Sequence, residues 1–271
     1  MYWYEGKLIN KDRLELDISN PGLLYGATVF STMRVYEQSL THPLTNWQAH
    51  CDRLRDSIKA FDWQQPDWQS LQQGAEILSS HFPVLRLVVF ADGKELITGR
   101  NLPSDLLEKQ TQGITAWVAD APLFRRDLAA YKTGNYLGAY LALQKAHTLG
   151  AKEAILIDSE GNWLETSTGN LWGWRDNCWY TPSLDGGILP GITRFRLLHG
   201  LKRQNIPVRE NIWTPEFVKE LKAIYYSNCV VEIVPIHKID LSDRDFLNLN
   251  LLSKQSTLKL LKELFRVLSY V

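Results

Sequence analysis

The sequence predicts a mixed α+β and α/β chain in two domains. A smaller α+β domain is expected over 1–120, a linker over 121–128 and a larger domain over 129–271. Three observations carry this. Runs with period-2 alternation and many β-branched residues are interleaved with runs at helical spacing, so neither element type dominates. The stretch APLFRRDL, Ala121 to Leu128, breaks both periods with Pro122 and the pair Arg125–Arg126. After it the order changes, with a helix first and strand–turn–strand pairs following. At 271 residues the chain is long enough for two modest domains, each burying a core.

MYWYEGKLI reads as a strand turning at Gly6. GATVFSTMRVYEQ alternates and is rich in β-branched residues, which suits a strand. In NWQAHCDRLRDSIKAF the apolar positions Leu54, Ile58 and Phe61 predict a helix, with Asn46 as its N-cap. PDWQSLQQGAEILSSHF is a second helix; VLRLVVFADG and GITAWVADAP are strands. Past the linker, a helix over Tyr136–Leu149 stops at Gly150, a residue type suited to a helix C-terminus. EAILIDSEGNWLET is strand, turn, strand, and NLWGWRDNCWYTPSL is a hairpin turning at Asp176–Asn177. GGILPGITRFRLLHGLKRQ is a glycine-rich loop leading into a helix. AIYYSNCVVEIVPIHKI is strand, tight turn, strand, and STLKLLKELFRVLSY is an amphipathic helix.

Composition removes several functions. Lys plus Arg balance Asp plus Glu at 30 each and no basic block occurs, so no nucleic-acid partner is expected. Three scattered cysteines, Cys51, Cys178 and Cys229, form neither a disulfide framework nor a metal-binding pair. The N-terminal stretch lacks an apolar export core, and apolar runs such as Leu85–Ala91 are too short to span a bilayer. A cytoplasmic protein with no membrane contact and no metal is expected.

Three features bear on chemistry. PGIT, Pro190 to Thr193, precedes a helix whose first N–H groups lack internal partners and carry the positive end of its dipole, a setting that suits a phosphate. Taken alone it reads first as a simple turn with Thr193 as N-cap. Glu165, in WLETSTGNLW, is either an exposed glutamate or a carboxylate facing a cationic ring nitrogen. Lys132 sits among Leu128, Ala129, Ala130, Tyr131 and Leu137, with Arg125 and Arg126 near in sequence. It is either a surface lysine with a buried stem or an amine whose apolar setting eases deprotonation. Together, an amine, a ring-nitrogen carboxylate and a phosphate anchor are what pyridoxal 5′-phosphate requires.

The words YGATVFSTMRVY, HCDRL, YKTGNYLGAYLALQKAHTLGAKEAILIDSEGNWLETSTGNLW, YTP and GILPGITR cover most of the chain from Tyr25 to Pro235. They resemble the class IV aminotransferases, the fold type IV pyridoxal-phosphate enzymes with the D-amino acid aminotransferase-like fold. The resemblance implies Lys132 as the Schiff-base lysine and Glu165 as the partner of the ring nitrogen. Tyr136 would contact the ring's phenolic oxygen. Ile192 and Thr193 would hold the phosphate with their N–H groups and the Thr193 hydroxyl. Arg53 resembles the family's phosphate arginine, its alternative being an ion pair with Asp52 or Asp56. Asn170 would hold the glutamate loop. One departure is visible: Cys229 stands where a Ser or Thr usually helps bind the phosphate, and Ser227 or Asn228 would take part of that role. A homodimer is also implied.

Within the family, FSTMRV and the Asn in YYSNC resemble 4-amino-4-deoxychorismate lyase, which makes 4-aminobenzoate and pyruvate in folate biosynthesis. The expected activity is therefore a lyase, with Thr32 in its catalytic word and Arg34 and Arg86 as substrate-carboxylate ligands. Arg86 lies inside an apolar strand, so a buried charge in need of a partner is expected. The alternative is a branched-chain or D-amino acid aminotransferase; a member that binds the cofactor without catalysis is the third reading.

Overall fold

A computed structural model describes residues 1–242, 245–249 and 255–267. Contacts divide the chain into two units, each built on its own sheet. The first unit holds Met1–Pro103 together with Tyr131–Asn135.

In the first unit, β1 (Tyr2–Tyr4) and β2 (Lys7–Ile9) form a hairpin. Its turn residues Glu5 and Gly6 both have positive φ, 45° and 75°, which matches the right-handed twist of the strands. Then come α1 (Pro21–Leu24), β3 (Thr28–Arg34), α2 (Trp47–Ala60), α3 (Trp68–Ser79), β4 (Val84–Phe90) and β5 (Glu95–Arg100). The antiparallel sheet runs β2-β1-β5-β4-β3. Val29 and Met33 of β3 join Leu54 and Ile58 of α2 and Leu71 and Leu78 of α3 in one core. Strand alternation then turns Phe30, Thr32 and Arg34 to the opposite face. Asn46 stands at the N-cap of α2 but makes no side-chain cap. Its φ of 54° instead lets Nδ2 donate to the Leu44 carbonyl at 3.0 Å.

The segment 131–135 extends this sheet. Phe30 N donates to the Lys132 carbonyl at 2.8 Å, and Gly134 N donates to the Thr28 carbonyl at 2.7 Å. Gly134 is needed there, because a Cβ would come within 2.5 Å of the Gly26 carbonyl and the Thr28 hydroxyl.

The second unit holds Ser104–Ala130 and the described residues from Tyr136 onward. It contains α4 (Leu106–Gln112), β6 (Ile114–Ala119), α5 (Leu137–Thr148), β7 (Glu153–Ile157), β8 (Trp163–Thr166), β9 (Asn170–Arg175) and β10 (Cys178–Pro182). There follow α6 (Ile192–Arg203), β11 (Val208–Asn211), α7 (Pro215–Glu220), β12 (Ala223–Asn228), β13 (Glu232–Ser242), β14 (Asp245–Asn248) and α8 (Gln255–Val267). The sheet order is β11-β10-β9-β12-β13-β6-β7-β8, with β14 also on β13. Residues 268–270 of the expected last helix lie outside the described residues.

The expected boundary at 121–128 is corrected. Strand β6 pairs in parallel with β7 and β13, so it belongs to the second unit, while 131–135 belongs to the first. The expected linker holds a 3₁₀ turn at Pro122–Phe124, whose Phe124 packs with Trp117 and the α5 alanines Ala139, Ala142 and Ala146. Among the described residues no helix is long and apolar enough to cross a membrane.

Candidate active site

In the first unit the candidate residues stand on the face of β3 turned away from that unit's core. Thr32 stands opposite Arg86 in the β3–β4 register. Arg86 is exposed rather than buried, since it falls on the face turned away from the core, and this corrects the expectation of a buried charge. Its Cζ lies 3.5 Å from the centroid of the Phe30 ring. Lys132 places Nζ 4.8 Å from the same centroid. The ring's quadrupole attracts both cations. Lys132, Arg86 and Thr32 thus gather about Phe30, which the sequence reading did not single out although it opens FSTMRV. Arg34 turns elsewhere, with Cζ 4.7 Å from the Tyr36 ring centroid.

The core face of β3 carries a second group. Ser31 Oγ lies 2.6 Å from His50 Nδ1 and accepts from Arg53 Nη2 at 2.5 Å. Asp52, the alternative partner for Arg53, pairs with Arg55 at 2.9 Å. His50 is fully buried. Burial, then the charges of Arg53 and Lys132, push its pKa well below the usual histidine range, so it is neutral in the fold.

In the second unit the short hairpin of β7 and β8 delivers Glu165, which is 4% exposed. One of its oxygens, Oε2, accepts from Leu189 N at 3.2 Å and Asn170 Nδ2 at 3.4 Å. Oε1 accepts from Arg126 Nη1 in an ion pair whose side chains are 5% and 6% exposed. Such a pair keeps the carboxylate charged. Arg126 also donates to the Ala129 carbonyl at 3.1 Å and lays its Cζ 4.3 Å from the Tyr136 ring centroid. Sequence proximity associated Arg126 with Lys132; its ion-pair partner is a carboxylate 39 residues away.

Asn170 ties Glu165 to the glycine loop, because Nδ2 also donates to the Leu189 carbonyl at 2.9 Å. Any side chain at Gly191 would run into Asn170 Oδ1, which explains the glycine. Gly191 takes the N-cap of α6, so Ile192 and Thr193 are its first two residues and Thr193 is not the cap. The Thr193 hydroxyl lies 3.4 Å from Cys229 Sγ. Asn228 spends its side chain on the turn: Oδ1 accepts from Val230 N and Val231 N, each at 2.9 Å. The Ser227 hydroxyl accepts from Trp172 Nε1 at 3.0 Å.

This donor set fits pyridoxal phosphate. The first N–H groups of α6 follow the glycine N-cap Gly191, and the Thr193 hydroxyl and Cys229 thiol meet beside them, a set of groups that can donate to an anion. Glu165, charged and buried, fits a protonated ring nitrogen.

The sequence model of the family described as Amino-transferase class IV matches residues 28–239. The branched-chain-amino-acid aminotransferase of Escherichia coli K12 is 26% identical over 266 residues, covering 88% of this chain and 84% of its own. The D-alanine aminotransferase of Listeria monocytogenes is 28% identical over 256 residues, covering 86% and 85%. Among solved structures, the E. coli branched-chain enzyme aligns with a TM-score of 0.77 at 23% identity, covering 97% of this chain and 92% of that one. A hypothetical aminotransferase from Mycobacterium tuberculosis, in its PLP-bound form, reaches 0.82 at 19% identity, covering 98% and 99%. These likenesses show the fold, a mixed α/β type IV architecture as the sequence predicts.

Proposed function

The chain belongs to the class IV aminotransferases, a pyridoxal-phosphate-dependent family, and on that premise we propose that it is a transaminase moving an amino group from an α-amino acid to a 2-oxo acid. The relatives described above favour this over the lyase that FSTMRV suggests, since both curated proteins are named as aminotransferases. The observation that carries the cofactor chemistry shared by this reading and the lyase is Glu165, a buried carboxylate ion-paired with Arg126.

When bound, pyridoxal phosphate supplies an electron sink for the bonding electrons released at the substrate's Cα. Glu165 holds a proton at the ring nitrogen. Lys132 would anchor the cofactor, and its Nζ would be the base that moves the substrate's Cα proton. Ile192, Thr193 and Arg53 bind the phosphate, with Cys229 a weaker donor than the usual hydroxyl. Tyr136 serves the phenolic oxygen, and Asn170 orients Glu165. Arg86 binds the substrate carboxylate, the fork of a guanidinium matching two oxygens. The donor is a branched-chain or a D-amino acid, and the working form is a homodimer, as the resemblance implies.

A second reading keeps the lyase that FSTMRV suggests, with Thr32 of that word standing opposite Arg86 in the strand register. Acceptor dependence separates the two. With an amino donor and no 2-oxo acid, product should stop at one equivalent per protomer and resume on adding 2-oxoglutarate. Repeated release of pyruvate and 4-aminobenzoate from aminodeoxychorismate without any acceptor would reject the transaminase.

A further inference from the structure

Glu153 opens β7 and is 2% exposed, yet none of the motif words explains it. Its hydrogen-bond donors are two hydroxyls and an amide. Ala154 N reaches Oε1 at 3.0 Å, the Ser167 hydroxyl reaches the same oxygen, and the Thr168 hydroxyl reaches Oε2 at 2.5 Å. Burial pushes this carboxyl upward, while these bonds and the charge of Lys109 pull it back.

The contacts continue beyond the loop. Asn228 Nδ2 lies 3.2 Å from the Thr168 carbonyl and 3.4 Å from its hydroxyl. The opposite end of that amide, Oδ1, accepts from Val230 N and Val231 N, which closes the turn containing Cys229. Cys229 Sγ in turn meets the Thr193 hydroxyl at 3.4 Å. Gly169, at the end of the loop, packs so closely on the Ser227 carbonyl that no Cβ fits.

A carboxylate only accepts hydrogen bonds. It therefore draws the Thr168 proton toward itself and leaves the Thr168 oxygen able only to accept from Asn228 Nδ2. The Asn228 amide is thus held at both ends, Nδ2 against the Thr168 carbonyl and hydroxyl and Oδ1 against the two N–H groups of the turn. An amide at 153 would turn an NH2 toward one of the two hydroxyls, and the hold on Ser167 or Thr168 would weaken.

We infer that Glu153 is a positioning residue for the phosphate end of the site, holding Thr168 where its carbonyl and hydroxyl meet Asn228 and, through Asn228, the turn that holds Cys229 against Thr193. The inference rests on the reading of Thr193 as a phosphate ligand. It concerns the place of the phosphate donors and not the chemistry at the ring.

The test uses cofactor-free protein titrated with pyridoxal 5′-phosphate and, separately, with pyridoxal, following absorbance. The readout is the preference for the phosphorylated form. Thr193→Val should reduce that preference, and Glu153→Gln should reduce it on the order of tenfold, the effect of misdirecting about one hydrogen bond, with pyridoxal affinity unchanged. Thr168→Val should do the same while keeping the acid itself and its bonds from Ser167 and Ala154, and it decides the matter if Glu153→Gln does not fold. A preference untouched by Thr193→Val removes the phosphate reading and this inference with it. If Thr193→Val lowers the preference while Glu153→Gln and Thr168→Val leave it intact, or weaken both ligands equally, the inference alone is overturned.

Discussion

Arg126→Met removes the cation from the buried pair with Glu165 while keeping most of the side chain's apolar volume. Both partners are nearly inaccessible, at 5% and 6%, so solvent screening offers little relief. Breaking such a pair from one side costs about 3–5 kcal/mol, because the remaining charge is stranded. Leu189 N and Asn170 Nδ2 still donate to Glu165 and place the loss toward the lower end. The contact with Tyr136 adds about 0.5–2 kcal/mol of its own. The double variant Arg126→Met/Glu165→Gln strands no charge and should lose less than Arg126→Met alone. Urea unfolding followed by tryptophan fluorescence suits a chain with ten tryptophans. A loss under about 1 kcal/mol, or a double variant less stable than the single one, would refute the claim that Arg126 is what keeps Glu165 charged.

His50 predicts a pH dependence. Its pKa in the fold is depressed well below 6.5, so below about pH 6.5 the unfolded chain binds a proton that the folded chain does not. Its contribution is complete above that pH and falls by about 1.4 kcal/mol per pH unit as pH drops. Glu153, whose pKa is raised from 4.5, acts oppositely, losing its contribution as pH rises. The difference in urea midpoint between wild type and His50→Gln isolates the histidine: it should shrink steadily on acidification, and a constant difference would show that His50 is protonated in the fold. For Arg86→Ala, one charge-assisted carboxylate contact of roughly 1.5–3 kcal/mol should appear as a tenfold to hundredfold rise in KM with little change in kcat. An unchanged KM for every carboxylate-bearing donor would remove Arg86 from the substrate site.

Local signals made much of this legible. The turns at Gly6 and Asp176–Asn177 were readable because positive φ selects a few residue types, and both stretches form hairpins. KTGNY and PGIT were readable because a close backbone approach at Gly134 and at Gly191 excludes side chains. What remained hidden depends on partners far apart in the chain. GITAWVA announces a strand, but alternation does not say which sheet it joins, and β6 joined the second unit's. Strand β5 was missed because Gly99 interrupts its pattern, a glycine required by the Phe82 ring. Arg126 and Glu153 escaped for the same reason: a charge is explained by the side chains it meets in space, and neighbours in sequence are a poor guide to those.

Lys132 is the residue proposed to anchor the cofactor, and every other role at the site depends on it. Borohydride reduction of the pyridoxal-phosphate-loaded protein, followed by proteolysis and peptide sequencing, tests it directly. The label should fall on Lys132, in the peptide containing YKTGNY, and Lys132→Ala should take up none. A label on Lys145, Lys152 or any other lysine would contradict the assignment.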